Sequence, residues 1–158
     1  MDRGLGTAVD DLIAAQHGVV SRGQLIDAGV NPGVIANRLR SGALVRVDRG
    51  VYRARSAPPS AEQVLMTAVL GVAGETVVSH QSAAYLWGLL NRLPAVPHVT
   101  TQPGRWRSKP YRVHRSSDLA PHHVTEVRGV PTTIPARTVV DLGANAPRLG
   151  GCRKSGFR

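Results

Sequence analysis

The hydrophobic pattern at the start of the chain predicts three short helices. Over residues 7–16, apolar side chains recur at spacings of three and four, which is the period of an amphipathic helix. Ser21 is well placed to cap a second helix over residues 22–28. Asn31 then caps a third helix over residues 32–40, which has a proline at its first position. The short connection between the second and third helices is typical of a helix-turn-helix motif.

The period changes after the third helix, and the next segment predicts a β-hairpin. Residues 44–47 and 51–54 are rich in β-branched side chains, and the turn between them has a glycine where a positive φ is expected. Three helices followed by a hairpin are the layout of a winged helix-turn-helix, in which the third helix enters the major groove and the hairpin forms the wing. The sequence therefore predicts that residues 1–56 are a DNA-binding domain.

The outward side chains of this domain are candidates for DNA contact. An inward apolar pair, Ile35 and Leu39, orients the third helix. Its outward face then carries Asn37, which can pair with adenine, and Arg40, which can pair with guanine or phosphate. Helix N-termini favour phosphate, and arginines on a wing can reach phosphates or the minor groove. The predicted DNA-contacting residues are Ser21, Arg22, Asn31, Gly33, Asn37, Arg38, Arg40, Arg46, Arg49 and Arg53. A domain with solvated arginines, or a winged helix that binds protein, would show the same pattern.

A second, mixed α+β domain is predicted over residues 57–145, after a linker at residues 56–59 that two prolines stiffen. The predicted fold class of the chain is therefore α+β, with a winged helix-turn-helix followed by a small mixed domain. Helices are predicted over residues 61–72, from 79 or 80 to 90 and from 135 onward, and strands over 76–78, 97–100, 111–114, 124–127 and 130–134. A small sheet of this kind has open edges that a partner can cover. Residues 146–158 show no apolar period and are predicted to be a disordered tail.

The net charge of +10 is concentrated in runs of arginine, whose planar fork suits phosphates and base edges. One run, residues 38–55, lies on the predicted third helix and wing. The other, residues 105–115, begins in a loop before a predicted strand and places basic residues around a tryptophan. Its candidate contact residues are Arg105, Trp106, Arg107, Lys109 and Arg112. They can grip nucleic acid by charge and stacking, meet an acidic face of a protein partner, or be solvated, and the sequence leaves all three open.

Several functional classes lack support in the sequence. The single cysteine, Cys152, excludes an internal disulfide framework and a thiolate metal cluster within one chain. The acidic N-terminus does not fit a secretory peptide, and the apolar pieces of residues 63–91 are too short to span a bilayer, so a cytoplasmic protein is expected. Motifs for catalysis, metal binding or phosphate binding are not found, so no enzyme, cofactor or metal site is expected. His122 and His123 would point to opposite faces of a strand, and His80 is interpreted as a helix cap or a core histidine.

Two parts of the chain resemble a known family. Residues 12–25 and 35–39, with the run from Arg40-Ser41-Gly42 to Arg49-Gly50-Val51-Tyr52, resemble the N-terminal domain of the AbiEi-type antitoxins. These proteins are the DNA-binding half of abortive-infection toxin–antitoxin systems. Residues 129–142, which read GVPTTIPARTVVDL, are similar to a later segment of the same family.

The resemblance implies an antitoxin that regulates transcription of its own operon. Such a protein would bind an inverted repeat of double-stranded DNA in its promoter, as a dimer, and restrain a toxin of nucleotidyltransferase type. Many relatives continue into a nuclease-like domain after the second matching segment, so the resemblance also implies a C-terminally truncated chain. Two alternatives remain: the chain sequesters a toxin without specific DNA binding, or it is a truncated remnant without function.

Overall fold

The structure is a computed structural model that describes residues 6–102 and 110–144. Four of the predicted contact residues, Arg105, Trp106, Arg107 and Lys109, lie outside the described residues, as does the predicted tail over 146–158. The described residues form mixed helices and sheets, which confirms the predicted α+β class.

The N-terminal unit has the element order of a winged helix. Its elements are α1 (Thr7–Ala15), β1 (Val19–Ser21), α2 (Arg22–Asp27), α3 (Pro32–Arg40), β2 (Leu44–Asp48) and β3 (Val51–Ala54). The strands form an antiparallel sheet in the order β1-β3-β2. This arrangement fits the predicted winged helix-turn-helix, with α2 and α3 as the helix pair and β2–β3 as the wing.

Local sequence signals start both helices of the pair. The Ser21 hydroxyl accepts a hydrogen bond from the Gln24 backbone N–H at 3.1 Å, and the Gln24 side chain accepts one from the Ser21 N–H at 2.9 Å. This reciprocal capping box begins α2. At α3, the Asn31 side chain accepts from the Gly33 N–H at 2.7 Å, and Pro32 takes the first helical position.

The helices of this unit bury their apolar faces together against the sheet. The buried members of this core are Val9, Ile13, Val20, Leu25, Val30, Ile35, Leu44 and Tyr52. Each helix contributes at least one of them, so the orientation of α3 is fixed by packing as well as by its cap.

The second unit contains a five-stranded mixed sheet with helices against it. Its elements are α4 (Ala61–Gly71), β4 (Thr76–Val78), α5 (His80–Leu86), β5 (His98–Thr101), β6 (Arg112–Arg115), β7 (Val124–Val127), β8 (Val130–Thr133) and α6 (Pro135–Ala144). The strand order is β6-β5-β4-β8-β7, in which β5–β6 and β4–β8 are parallel and the other pairs are antiparallel. The sheet edges are therefore β6 and β7.

Two predictions for this unit are wrong in detail. Helix α5 was expected to continue to residue 90, but it ends at Leu86 because Gly88 adopts the left-handed conformation at φ 74° and turns the chain away. His122 and His123 lie in a 3-10 turn over Pro121–His123 rather than in a strand, and their rings are 4.2 Å apart. The prediction that they point to opposite faces of a strand is therefore wrong.

Helix α4 packs against both sheets and joins the two units. Val19 and Val51 from the first sheet lie in the same core cluster as Leu65 and Met66 of α4 and Val78 of the second sheet. The apolar interior is thus continuous across the proline-containing linker, and α4 forms its centre.

A polar contact and a close approach accompany this packing. The Gln63 side-chain amide donates to the His17 carbonyl at 2.9 Å. A Cβ placed on Gly18 would lie 2.1 Å from the Cβ of Ala57, so the linker passes where only a glycine leaves room.

Among the described residues, no helix combines the length and apolar character needed to cross a bilayer.

Candidate nucleic-acid interface

Helix α3 turns a polar and basic face away from the core. Ile35 is fully buried and Leu39 packs against the same cluster, as the apolar spacing predicts. The exposed residues of the helix include Gly33, Val34, Ala36, Asn37 and Arg40, while Arg38 is partly buried at the edge. The side chains predicted to meet bases are therefore accessible to solvent.

Asn37 and Arg40 contact each other on this face. Arg40 Nη1 donates to Asn37 Oδ1 at 2.6 Å, a pairing that the three-residue helical spacing permits. A bidentate pair between asparagine and adenine uses both the oxygen and the nitrogen of the amide. The contact occupies one of the two lone pairs of Asn37 Oδ1, so the second lone pair and the amide N–H groups remain for adenine.

The wing presents its arginines in different directions. Arg46 is exposed and lies opposite Tyr52 across the hairpin. Tyr52 is buried in the core that α1, α2 and α3 form with the sheet, so Arg46 lies on the face of the sheet that these three helices cover. Arg49 is exposed at the turn. Arg53, in contrast, is half-buried, and its Nη1 donates to the Ala57 carbonyl in the linker at 3.1 Å.

Local hydrogen bonds use part of the donors and acceptors at the helix N-termini near this face. The Ser21 hydroxyl serves the Gln24 N–H, and the Arg22 N–H donates to the Gly50 carbonyl at 2.7 Å, which ties the start of α2 to the tip of the wing. Asn31 serves Gly33 in the same way at α3. The backbone of Arg22 is thus held beside the wing turn, and the side chains of Arg22 and Arg49 are both exposed.

Of the second basic run, the structure describes only the part after the loop. Arg112 is exposed on the edge strand β6. The residue before it, Tyr111, donates its hydroxyl proton to Asp48 Oδ2 at the end of β2, at 2.8 Å. Burial, together with this hydrogen bond and the Asp48 charge, raises the pKa of Tyr111, so the hydroxyl remains the donor. Tyr111 therefore lies directly beside the end of β2.

A second group of polar side chains lies away from this face, and the sequence pattern pointed to only one of them, His80, as a helix cap or core histidine. His80, His98 and His114 come together at the end of the sheet formed by β4, β5 and β6. Burial, and next the charge of His114, lower the pKa of both His80 and His98 to about 4. Burial also lowers the pKa of His114, with Arg112 adding to the effect. No local sequence motif indicates that these three histidines form a cluster, because the register of the sheet strands, and not their spacing in the sequence, makes them neighbours.

The comparisons with known proteins bear on the N-terminal unit. Residues 8–55 match a family described as transcriptional regulator, AbiEi antitoxin. The match covers just under a third of the chain and contains the helix pair and the wing. It confirms the predicted resemblance for the N-terminal part, and the described role of that family is regulatory. A comparison with curated proteins finds no match to the chain.

Proposed function

We propose that this protein is a DNA-binding transcriptional regulator of the antitoxin class, with α3 in the major groove and the wing against the neighbouring backbone. The observation that carries this proposal is the exposed polar and basic face of α3 and its hairpin, which lies within residues 8–55, the part that matches the regulator family. A DNA-binding surface needs cations that replace phosphate counterions and side chains that reach base edges. This face offers both.

The proposal divides the contacts by role. Asn37 and Arg40 contact base edges, because they lie on the outward face of α3 and carry the donors and acceptors for them. The positioning contacts to phosphate come from the side chains that surround this pair, namely Ser21, Arg22, Asn31, Gly33, Arg38, Arg46 and Arg49. Arg53 is left out, since its guanidinium is engaged with the linker.

A single winged helix reads a short site, so specific binding is expected to need two copies on an inverted repeat. Two copies of the protein, bound at its own promoter in the cytoplasm, would regulate transcription of the operon. The activity proposed is binding, without a catalytic step.

The test measures DNA preference with the purified chain. The probes are a duplex that covers the region upstream of the protein's own gene and a shuffled duplex of equal length and composition. Asn37→Ala and Arg40→Ala should each reduce the preference for the first duplex by about 5- to 150-fold, which corresponds to roughly 1–3 kcal/mol for a base contact. Affinity for the shuffled duplex should change much less after Asn37→Ala, which removes no charge.

Arg92→Ala is the matched control, because Arg92 is an exposed arginine outside the winged helix and its loss changes the net charge equally. It should leave the preference intact. If Asn37→Ala and Arg40→Ala retain the wild-type preference, α3 does not read the bases and the proposal fails.

A second candidate function is the capture of a nucleotidyltransferase-type toxin by the second unit. The observation in its favour is an exposed apolar pair on α6, where Val139 and Val140 are 58% and 65% exposed. Co-expression with the product of a neighbouring gene of that type tests it. Capture is supported if the toxin co-purifies with the wild-type chain but not with the double variant Val139→Asp, Val140→Asp. If the toxin co-purifies with both forms of the chain, or with neither form, capture at this helix is refuted.

A further inference from the structure

Three histidine side chains converge in the second unit, outside the proposed DNA-binding face. The Nδ1 atom of His98 lies 3.1 Å from the Nε2 atom of His114. The ring of His80 stacks on that of His114 with 3.6 Å between centroids, and it lies 5.9 Å from the ring of His98. Each ring offers one nitrogen to the cluster, and these three nitrogens lie within 4.8 Å of one another.

The fold holds the three residues from separate elements. His98 and His114 lie on the neighbouring parallel strands β5 and β6, two residues out of register, because Thr100 is the residue paired with His114. His80 begins α5 directly after β4, and the Ser79 backbone N–H donates to the His98 carbonyl at 3.1 Å. The cluster therefore rests on the sheet backbone, which favours a defined geometry.

The distances fit one small cation. A zinc ion bound to imidazole nitrogens at about 2.0–2.1 Å with tetrahedral angles separates them by about 3.3–3.4 Å. The His98–His114 pair is already close to that value. The third nitrogen lies within 4.8 Å of the others, and the His80 ring must turn out of its stack on His114 to direct a nitrogen lone pair at the same ion.

The surroundings also suit metal-binding imidazoles. His80 Nδ1 lies 2.9 Å from the Ser79 hydroxyl oxygen, which in turn accepts a hydrogen bond from the Thr100 hydroxyl at 2.7 Å. Such a partner on one ring nitrogen orients the ring and leaves the other nitrogen, Nε2, for an ion.

Charges near the cluster act in both directions. Asp141 is 8% exposed on α6, and its carboxylate opposes the lowering of the pKa of both His80 and His114, so it favours positive charge in this space. Arg137 donates from Nε to Asp141 Oδ1 at 2.8 Å and partly offsets that effect. Arg112 also opposes a cation near His98 and His114. The bonds between the metal ion and the imidazole nitrogens must therefore outweigh the repulsion from these cations.

We propose that His80, His98 and His114 bind a single divalent transition-metal ion of the kind that imidazole prefers, with Zn²⁺ as the first candidate. Three protein ligands leave a fourth position for water or for a donor from a partner. The ion would join the start of α5 to strands β5 and β6. This site is independent of the proposed DNA contacts.

The experiment uses the tag-free, full-length chain, stripped of metal and titrated with Zn²⁺ by calorimetry and with Co²⁺ by visible absorption. One equivalent of Zn²⁺ should bind, and Co²⁺ should show the intense absorption of tetrahedral coordination. His98→Ala and His114→Ala should each weaken Zn²⁺ binding by more than about 100-fold, since partners that touch only the ligands are themselves worth 10- to 100-fold. Ser79→Ala should weaken it within that lower range.

His122→Ala is the matched control, because His122 is an exposed histidine outside the cluster, and it should bind Zn²⁺ as the wild type does. Thermal melting of the metal-free variants shows whether each one folds. If His98→Ala or His114→Ala is unfolded, the proposal is tested by the Zn²⁺ affinity of Ser79→Ala and by the Co²⁺ spectrum of the wild type. Absence of Zn²⁺ binding to the wild type, a six-coordinate Co²⁺ spectrum, or equal binding by the cluster variants and the wild type would each overturn the proposal.

Discussion

Replacement of Gly18 by alanine tests the docking of the linker against the winged helix. Gly18 has φ 84°, and its added Cβ would lie 2.1 Å from the Cβ of Ala57. The backbone cannot move aside freely, because the Gly18 N–H donates to the Ile13 carbonyl at 2.7 Å and the Gly18 carbonyl accepts from the Ala54 N–H at 2.8 Å. The new methyl group must therefore displace the linker or break these hydrogen bonds.

The cost has two parts. The left-handed conformation costs an alanine about 1–2 kcal/mol, and forcing a methyl group into packed space costs about 1–3 kcal/mol more. We expect Gly18→Ala to lower the free energy of unfolding by about 2–5 kcal/mol, measured by urea denaturation with circular dichroism. For a chain of this size that corresponds to a fall in Tm of roughly 5–20 °C.

Gly29 provides the control that separates the two parts. It has nearly the same conformation, φ 80°, but a Cβ placed there meets nothing within 4 Å. Gly29→Ala should therefore cost only the conformational part, about 1–2 kcal/mol. Adding Ala57→Gly to Gly18→Ala should recover much of the difference. If Gly18→Ala is no more destabilising than Gly29→Ala, the linker does not pass where the structure places it.

Three further predictions concern the wing and its neighbours. Arg49→Ala should reduce the slope of log affinity for DNA against log salt concentration by about 0.9, the value for one phosphate contact, whereas Arg53→Ala, whose guanidinium is bound to the linker, should leave the slope nearly unchanged. Tyr111→Phe removes the hydroxyl that donates to Asp48 and should cost about 1–2 kcal/mol in chemical denaturation; no change would mean that the contact is not formed in solution. The pKa of Glu62 is lowered from 4.5, first by a backbone hydrogen bond and then by Arg128, so its contribution to stability is present above pH 4.5 and is lost as the pH falls through the lowered value. Glu62→Gln should therefore narrow the stability difference between pH 7 and pH 3 by about 0.5 kcal/mol, and an unchanged difference would contradict this assignment.

The sequence predicted the elements well where the signals are local. The caps at Ser21 and Asn31, the apolar pair on α3 and the glycine in the wing turn each act within a few residues, so their outcome depends little on the rest of the fold. The exposure of Asn37 and Arg40 follows from the same helical period. The predicted length of helix α5 was too long because Leu89 and Leu90 continue its apolar pattern, although the chain has already turned at Gly88.

Features that depend on distant contacts could not be predicted in this way. The direction of Arg53 is decided by the linker carbonyl that it meets, and an alternating strand pattern carries no sign of that partner. The cluster of His80, His98 and His114 depends on how β4, β5 and β6 are ordered and registered, and several orders fit the same strands. The spacing of two residues along the sequence predicts whether they are close in the fold only when both lie on the same helix or strand.

The central position of α4 has a consequence for dissecting this protein. A fragment cut in the linker, after residue 56, would keep every element of the winged helix but would uncover Val19 and Val51, which are 0% and 1% exposed in the whole chain. Those two side chains lie on the sheet face that α4 covers, so the fragment would present an apolar surface prone to self-association. A fragment that ended after α4 would cover these two side chains but would uncover Leu65 and Met66 on the same helix, which pack with Val78 of the second sheet. DNA binding by the wing and α3 is therefore best measured on the whole chain.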